Sequence, residues 1–119
     1  MMRYVVLRHE GVTDPHFDLM FESEPAGPLR TWRSPVWPIR ERVRVVPLDL
    51  HRRAYLDYEG PVSGDRGYVT RVAAGTYDLR TPDAHTWEFV LHGCDKVEGL
   101  LFRTWQDTQG HVVWDCAGM

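Results

Sequence analysis

Lysine is almost missing from this 119-residue chain: a single Lys, Lys96, stands against 13 Arg. Cysteine is scarce as well. Cys94 and Cys116 are too few for a disulfide scaffold and lack the paired spacing of a thiolate metal site, so neither device is expected to hold the fold. No apolar run approaches the roughly 20 residues of a membrane-spanning helix. The first ten residues hold an apolar run of only four, Tyr4 to Leu7, and a secretory leader is not expected. No stretch of a dozen residues carries apolar side chains at helical spacing, which argues against an α-helical chain. Bulk positive charge is absent too. With 14 basic and 17 acidic residues the net charge is −3, unlike a protein that coats nucleic acid. What remains is ordinary for a globular protein: 43% hydrophobic and 26% charged residues. A single domain over residues 1–119 is expected, cytoplasmic and without a membrane partner, large enough to bury roughly two-thirds of its unfolded surface.

The charge is segregated along the chain. Residues 1–29 carry a balance of −3, residues 30–53 a balance of +5 and residues 54–119 a balance of −5. Seven Arg fall in the middle segment, among them Arg30, Arg33, Arg42 and Arg44. A short basic stretch in an acidic chain suits a focused anion site better than a long nucleic-acid track; an Arg-rich solvated strand face is the other reading.

Periodicity is that of β-structure throughout. In His16-Phe17-Asp18-Leu19-Met20-Phe21-Glu22, apolar Phe17, Leu19 and Phe21 share one face while His16, Asp18, Met20 and Glu22 share the other, the alternation of a half-buried strand. Similar runs cover Tyr4–His9, Leu29–Arg33, Arg42–Leu50, Tyr68–Val72, Gly75–Leu79, Trp87–His92, Leu100–Trp105 and Val112–Trp114. Turn signals such as Pro25-Ala26-Gly27-Pro28, Ser63-Gly64-Asp65 and Gln109-Gly110 lie between them. The pattern predicts a compact antiparallel β-barrel of about eight strands with at most one or two short helical turns, the best place for one being Arg52–Tyr58.

Two groups of residues can carry chemistry. His16 and Asp18 leave the same face of one strand, and His9 closes the strand before it. If those strands pair, His9, His16 and Asp18 converge, and two imidazoles with one carboxylate can hold a divalent metal while leaving positions for water and substrate. The nitrogen and oxygen donors suit Mn²⁺, Fe²⁺ or Zn²⁺. The same residues would also serve as plain surface polarity. In the second group, Asp49 and His51 share a face if the segment is a strand, with Leu48 and Leu50 turned to the core and Tyr55 close behind. Asp49 is placed to orient the His51 imidazole as a general acid or phosphate contact. Arg30 and Arg33 offer planar charged forks suited to phosphate oxygens. His85, His92 and His111 carry no expected role beyond packing or surface, His92 being expected to satisfy a backbone group.

The order of these pieces is more specific than any one of them. Tyr4-Val5-Val6-Leu7-Arg8-His9, then His16 to Glu22, then Gly27-Pro28-Leu29-Arg30-Thr31-Trp32, His51, Tyr55-Leu56-Asp57-Tyr58-Glu59-Gly60, Gly75-Thr76-Tyr77 and Phe89-Val90-Leu91-His92-Gly93 follow one another along roughly residues 3–105. This series resembles the 3′-phosphoesterase domain found at the N-terminus of bacterial DNA ligase D, as a divergent stand-alone member. The resemblance implies a β-barrel that heals nucleic-acid 3′ ends in break repair by non-homologous end joining, a hydrolase removing a terminal ribonucleoside or a 3′-phosphate. The implied metal is Mn²⁺, with Zn²⁺ or another divalent cation as substitute, and the ligands His9, His16 and Asp18. His51 would contact the scissile phosphate, with Asp49 where the family usually has Glu, Arg30 in place of a family Lys and Tyr55 in place of the family Tyr. Arg33, Arg42 or Arg44 would add charge at the phosphate. The partners implied are a DNA primer strand or a mixed RNA/DNA end, with a separate ligase or other end-joining proteins. Met20 stands where the family has a phosphate-gripping Arg, so the runner-up is a weakened module that binds such ends or repair partners without turnover.

Overall fold

A computed structural model describes residues 1–118 of the chain. Ten strands lie in one antiparallel sheet: β1 (Met2–Glu10), β2 (His16–Glu22), β3 (Leu29–Ser34), β4 (Val43–Arg44), β5 (Val46–His51), β6 (Gly60–Pro61), β7 (Tyr68–Arg80), β8 (Thr86–His92), β9 (Leu101–Gln106) and β10 (Val112–Gly118). Two 3₁₀ turns, Arg53–Leu56 and Asp95–Val97, are the helical content of the described residues, the first inside the segment anticipated for it. None of the described helices is long and apolar enough to cross a membrane.

Hydrogen-bonded neighbours run β4-β10-β9-β8-β7-β1-β2-β3-β5, with β6 added beside β7. The ladder does not close on itself, yet its two edges are adjacent in sequence. The stretch expected as one strand, Arg42–Leu50, is divided at Val45: β4 pairs with β10 at one edge and β5 pairs with β3 at the other. Val45 is buried, and its N–H donates to the carbonyl of Val112 at 2.9 Å. A strand that must serve two edges has to change partner, and one buried residue makes the change. The opposite correction applies to Tyr68–Val72 and Gly75–Leu79, which form one continuous strand, β7. Its ladder with β1 skips a residue between Val6 and Leu7, a bulge that bends the strand without ending it.

The inner face carries the large side chains. Register places Tyr4 opposite Phe21, Val6 opposite Leu19, and Leu19 opposite Trp32. Phe21, Phe89 and Trp114 stand at its centre, with Phe89 and Trp114 stacked at 5.2 Å and 5°. Phe21 is 4.5 Å from Phe89 and meets Tyr77 edge-on at 5.0 Å.

The outer face of β2 was expected in water and is not. His16, Asp18, Met20 and Glu22 are all buried. There the 3₁₀ turn and its flank pack on the sheet: Tyr55, Leu56 and Val62 join Val5, Leu7, Met20, Leu29 and Val69 in a second cluster. Glu22 ties this cover down: one carboxylate oxygen accepts the Arg3 N–H at 2.5 Å and the other accepts from Arg53 of the 3₁₀ turn. Burial pushes the Glu22 carboxyl up, but these hydrogen bonds and the Arg53 charge outweigh it and hold the group below its ordinary range.

Candidate metal centre

His9 is the last residue but one of β1 and His16 begins β2, so the loop after Glu10 turns the chain back with the two histidines paired directly across the ladder. Their rings lie 4.9 Å apart at 65°. Asp18, two residues on along β2, joins them from the same face. One nitrogen of each imidazole and a carboxylate oxygen of Asp18 fall within 4.8 Å of one another.

The hydrogen bonds of the two rings decide their chemistry. His16 Nδ1 lies 2.8 Å from the carbonyl of Asp14, and His9 Nε2 lies 2.7 Å from the carbonyl of Arg66. A carbonyl only accepts, so both nitrogens donate. In the neutral rings the lone pairs then sit on His16 Nε2 and His9 Nδ1. These two atoms face Asp18, at 3.4 Å from Oδ1 and 3.7 Å from Oδ2. His16 Nε2 and Asp18 Oδ1 are fully buried and have no hydrogen-bond partner among the described residues. Buried acceptors turned toward one another with no donor between them are costly, and a cation relieves that cost. Two ligands on one ion at metal–ligand distances of about 2.0–2.2 Å stand about 3.0–3.5 Å apart, a spacing that His16 and Asp18 meet at 3.4 Å and that His9 and Asp18 slightly exceed at 3.7 Å. The carbonyls on the far nitrogens fix ring orientation as outer partners of metal-bound imidazoles do. The residues present therefore fit a divalent ion.

The Arg66 carbonyl reaches His9 because residues 63–67 fold tightly over the end of β1. Gly67 has φ +77°, and a Cβ there would stand 2.1 Å from the carbonyl oxygen of Glu10, so only glycine fits.

His9, His16 and Asp18 open into a cavity of about 710 Å³. Arg33, His51 and Tyr55 of the anticipated residues also line it. Arg33 is opposite Asp18 in the β2–β3 register, with Nε 4.0 Å from Asp18 Oδ1. His51 enters from the end of β5 and meets Tyr55 of the 3₁₀ turn at 5.9 Å between rings.

The other anticipated residues lie elsewhere. Arg30 is one position out of phase with Leu29, Thr31 and Arg33, so it leaves the opposite face of β3 and stacks on Trp87 at 4.6 Å. Arg42 lies over Trp105 at 5.1 Å, and Arg44 pairs with Val113 at the far edge of the sheet. Asp49 is exposed and borders the same shallow hollow as Arg30. It serves His51 through its backbone: His51 Nδ1 donates to the Asp49 carbonyl at 2.9 Å, and the carboxylate is not the orienting group. Leu50, expected in the core, is 58% exposed because β5 is an edge strand with no layer over it. His92 also differs from expectation. Its Nδ1 and Nε2 contact the carboxylates of Glu98 at 2.8 Å and Asp78 at 3.0 Å, not a backbone group.

What sequence reasoning missed are main-chain groups and loop residues: the Asp14 and Arg66 carbonyls, and Val12, Thr13 and Asp65 in the cavity wall. Gly67 beside Arg66 was the one available signal. No protein-family model and no curated protein matches the chain.

Proposed function

We propose that this protein is a divalent-metal-dependent phosphoesterase acting on nucleic-acid 3′ ends, with Mn²⁺ held by His9, His16 and Asp18. The observation that carries the reading is the pair of buried, unpartnered acceptors, His16 Nε2 and Asp18 Oδ1, at the head of an open cavity. A divalent ion bound there supplies a Lewis acid for a phosphoryl oxygen and lowers the pKa of a bound water. His51 stands in the same cavity with Nδ1 committed to the Asp49 carbonyl, so Nε2 is the nitrogen that exchanges a proton with a phosphoester. Tyr55 packs against His51 and limits its swing. The order of motifs shared with the ligase D phosphoesterase domain points to a DNA primer strand or mixed RNA/DNA end as substrate. It also points to a separate ligase as the partner that seals the product, in the cytoplasm.

A second reading, an end-binding module without turnover, is favoured by Met20. It is 1% exposed in an apolar cluster and supplies no charge to the cavity from β2.

A labelled primer–template ending in one ribonucleotide separates the two. Shortening of the strand with Mn²⁺, its loss with chelator and its loss in His16→Ala are the results expected of the enzyme. An intact strand at stoichiometric protein, or cleavage that survives His16→Ala, excludes the enzyme reading for this substrate.

A further inference from the structure

Resting on the phosphoester reading, we propose that Arg33 is the residue that grips the substrate phosphate, so that the ester is held at two points, by the metal ligated on β1 and β2 and by a guanidinium delivered from β3. Two arginines border the cavity among the described residues, Arg33 and Arg66. Arg66 is folded back on its own loop: Nε donates to the Ser63 carbonyl at 2.7 Å and Nη2 to the Ser63 hydroxyl at 3.2 Å. Arg33 makes no side-chain hydrogen bond among the described residues. Its approach to Asp18 at 4.0 Å is an ion contact beyond hydrogen-bond reach, and its side chain is 46% exposed. Its planar fork of five donors is therefore uncommitted and free to swing, next to the carboxylate that helps to hold the metal.

The strand register explains why β3 supplies the charge. Asp18 and Arg33 are direct cross-strand partners, and such side chains stand about 5 Å apart at Cβ. Along β2 itself the next residue on this face is Met20, which borders the same cavity but carries no charge. Of the other arginines of the basic segment, Arg30 lies on Trp87, Arg42 on Trp105 and Arg53 on Glu22, and Arg40, Arg44 and Arg52 do not border the cavity. A phosphoester, with its non-bridging oxygens shared between them, can satisfy both a metal and a bidentate fork.

The test uses the Mn²⁺-loaded full chain, with orthophosphate as the binding probe and the primer–template as substrate. Arg33→Ala is expected to weaken Mn²⁺-dependent phosphate binding and to lower kcat/KM about 100-fold. Mn²⁺ affinity should stay within about threefold of wild type. Arg33→Lys should recover part of the loss, since it restores charge without the fork, and added guanidinium ion should rescue Arg33→Ala. Undiminished phosphate binding in Arg33→Ala overturns the assignment. So does a parallel loss of Mn²⁺ affinity, which would make Arg33 a positioning partner of Asp18, and so does a loaded wild type that binds no phosphate. Arg33-dependent phosphate binding in a wild type that cleaves nothing upholds the grip and removes only the phosphoesterase reading.

Discussion

The two faces of the β1–β2–β3 sheet are built from alternate residues of the same strands and do opposite things. Inward, Tyr4, Phe21, Trp32, Phe89 and Trp114 form a dense aromatic packing. Outward, Val5, Leu7, Met20 and Leu29 are smaller, and their patch runs directly into His9, His16 and Asp18, where buried acceptors lack donors. The inner face lowers the free energy of the folded chain, while the outer face retains buried, unpaired acceptors whose cost a bound cation would relieve. Period-two alternation keeps the two apart, because no side chain of a strand reaches both faces. Stability and site can therefore change independently, one residue apart.

The largest effect is expected on the inner face. Phe21→Ala removes a fully buried ring that touches Tyr4, Trp32, Phe89 and Trp114, and should cost about 4 kcal/mol in denaturant unfolding. Mn²⁺ affinity of the folded fraction should change less than twofold; a large change would show that the faces are coupled.

On the outer face the sign reverses. Mn²⁺ at 100 times its dissociation constant should stabilise the wild type by about 2.7 kcal/mol, a rise in Tm of about 10 °C. Asp18→Asn should lose that rise and, in chelator, melt above the wild type by about 1 kcal/mol, because an amide can donate to His16 Nε2. A metal-free Asp18→Asn less stable than wild type would refute the view that the acceptors are in conflict without an ion.

The smallest effect belongs to the contrasting histidine. Unlike His9 and His16, His92 has carboxylates on both nitrogens, from Glu98 and Asp78. Those hydrogen bonds raise its pKa above the ordinary 6.5. A raised folded pKa means that the contribution is complete below pH 6.5 and is lost as pH rises through the folded value. The pair is exposed, so the expected change is slight. Thermal melts between pH 6 and 9 should show His92→Gln with a flatter decline than wild type, and identical slopes would remove His92 from the account.

How much of this was legible in the sequence depended on whether a local signal existed. The strand His16–Glu22 and the shared face of His16 and Asp18 followed from alternation alone. Burial of that face did not, because residues packed against it, Tyr55, Leu56 and Val62, are remote in sequence from β2. Arg30 and Arg33 looked equivalent as phosphate forks, yet three positions apart on a strand they leave opposite faces, and only Arg33 meets the cavity. The division of 42–50 at Val45 had no local sign, since it depends on which edge each half finds. The Asp49 carbonyl took the orienting role expected of its side chain, and backbone groups carry no residue signature.

Residue order by itself determined the antiparallel β-architecture, the pairing of polar with apolar positions on β2 and the set of three side chains that could hold a metal, because all of these follow from spacing within one strand or one hairpin. Tertiary structure alone decided which arginine stands beside Asp18, which carbonyls fix the imidazoles and that His16 and Asp18 are buried. Each of these requires segments distant in the chain to meet, and in a sheet that meeting is set by strand order and register.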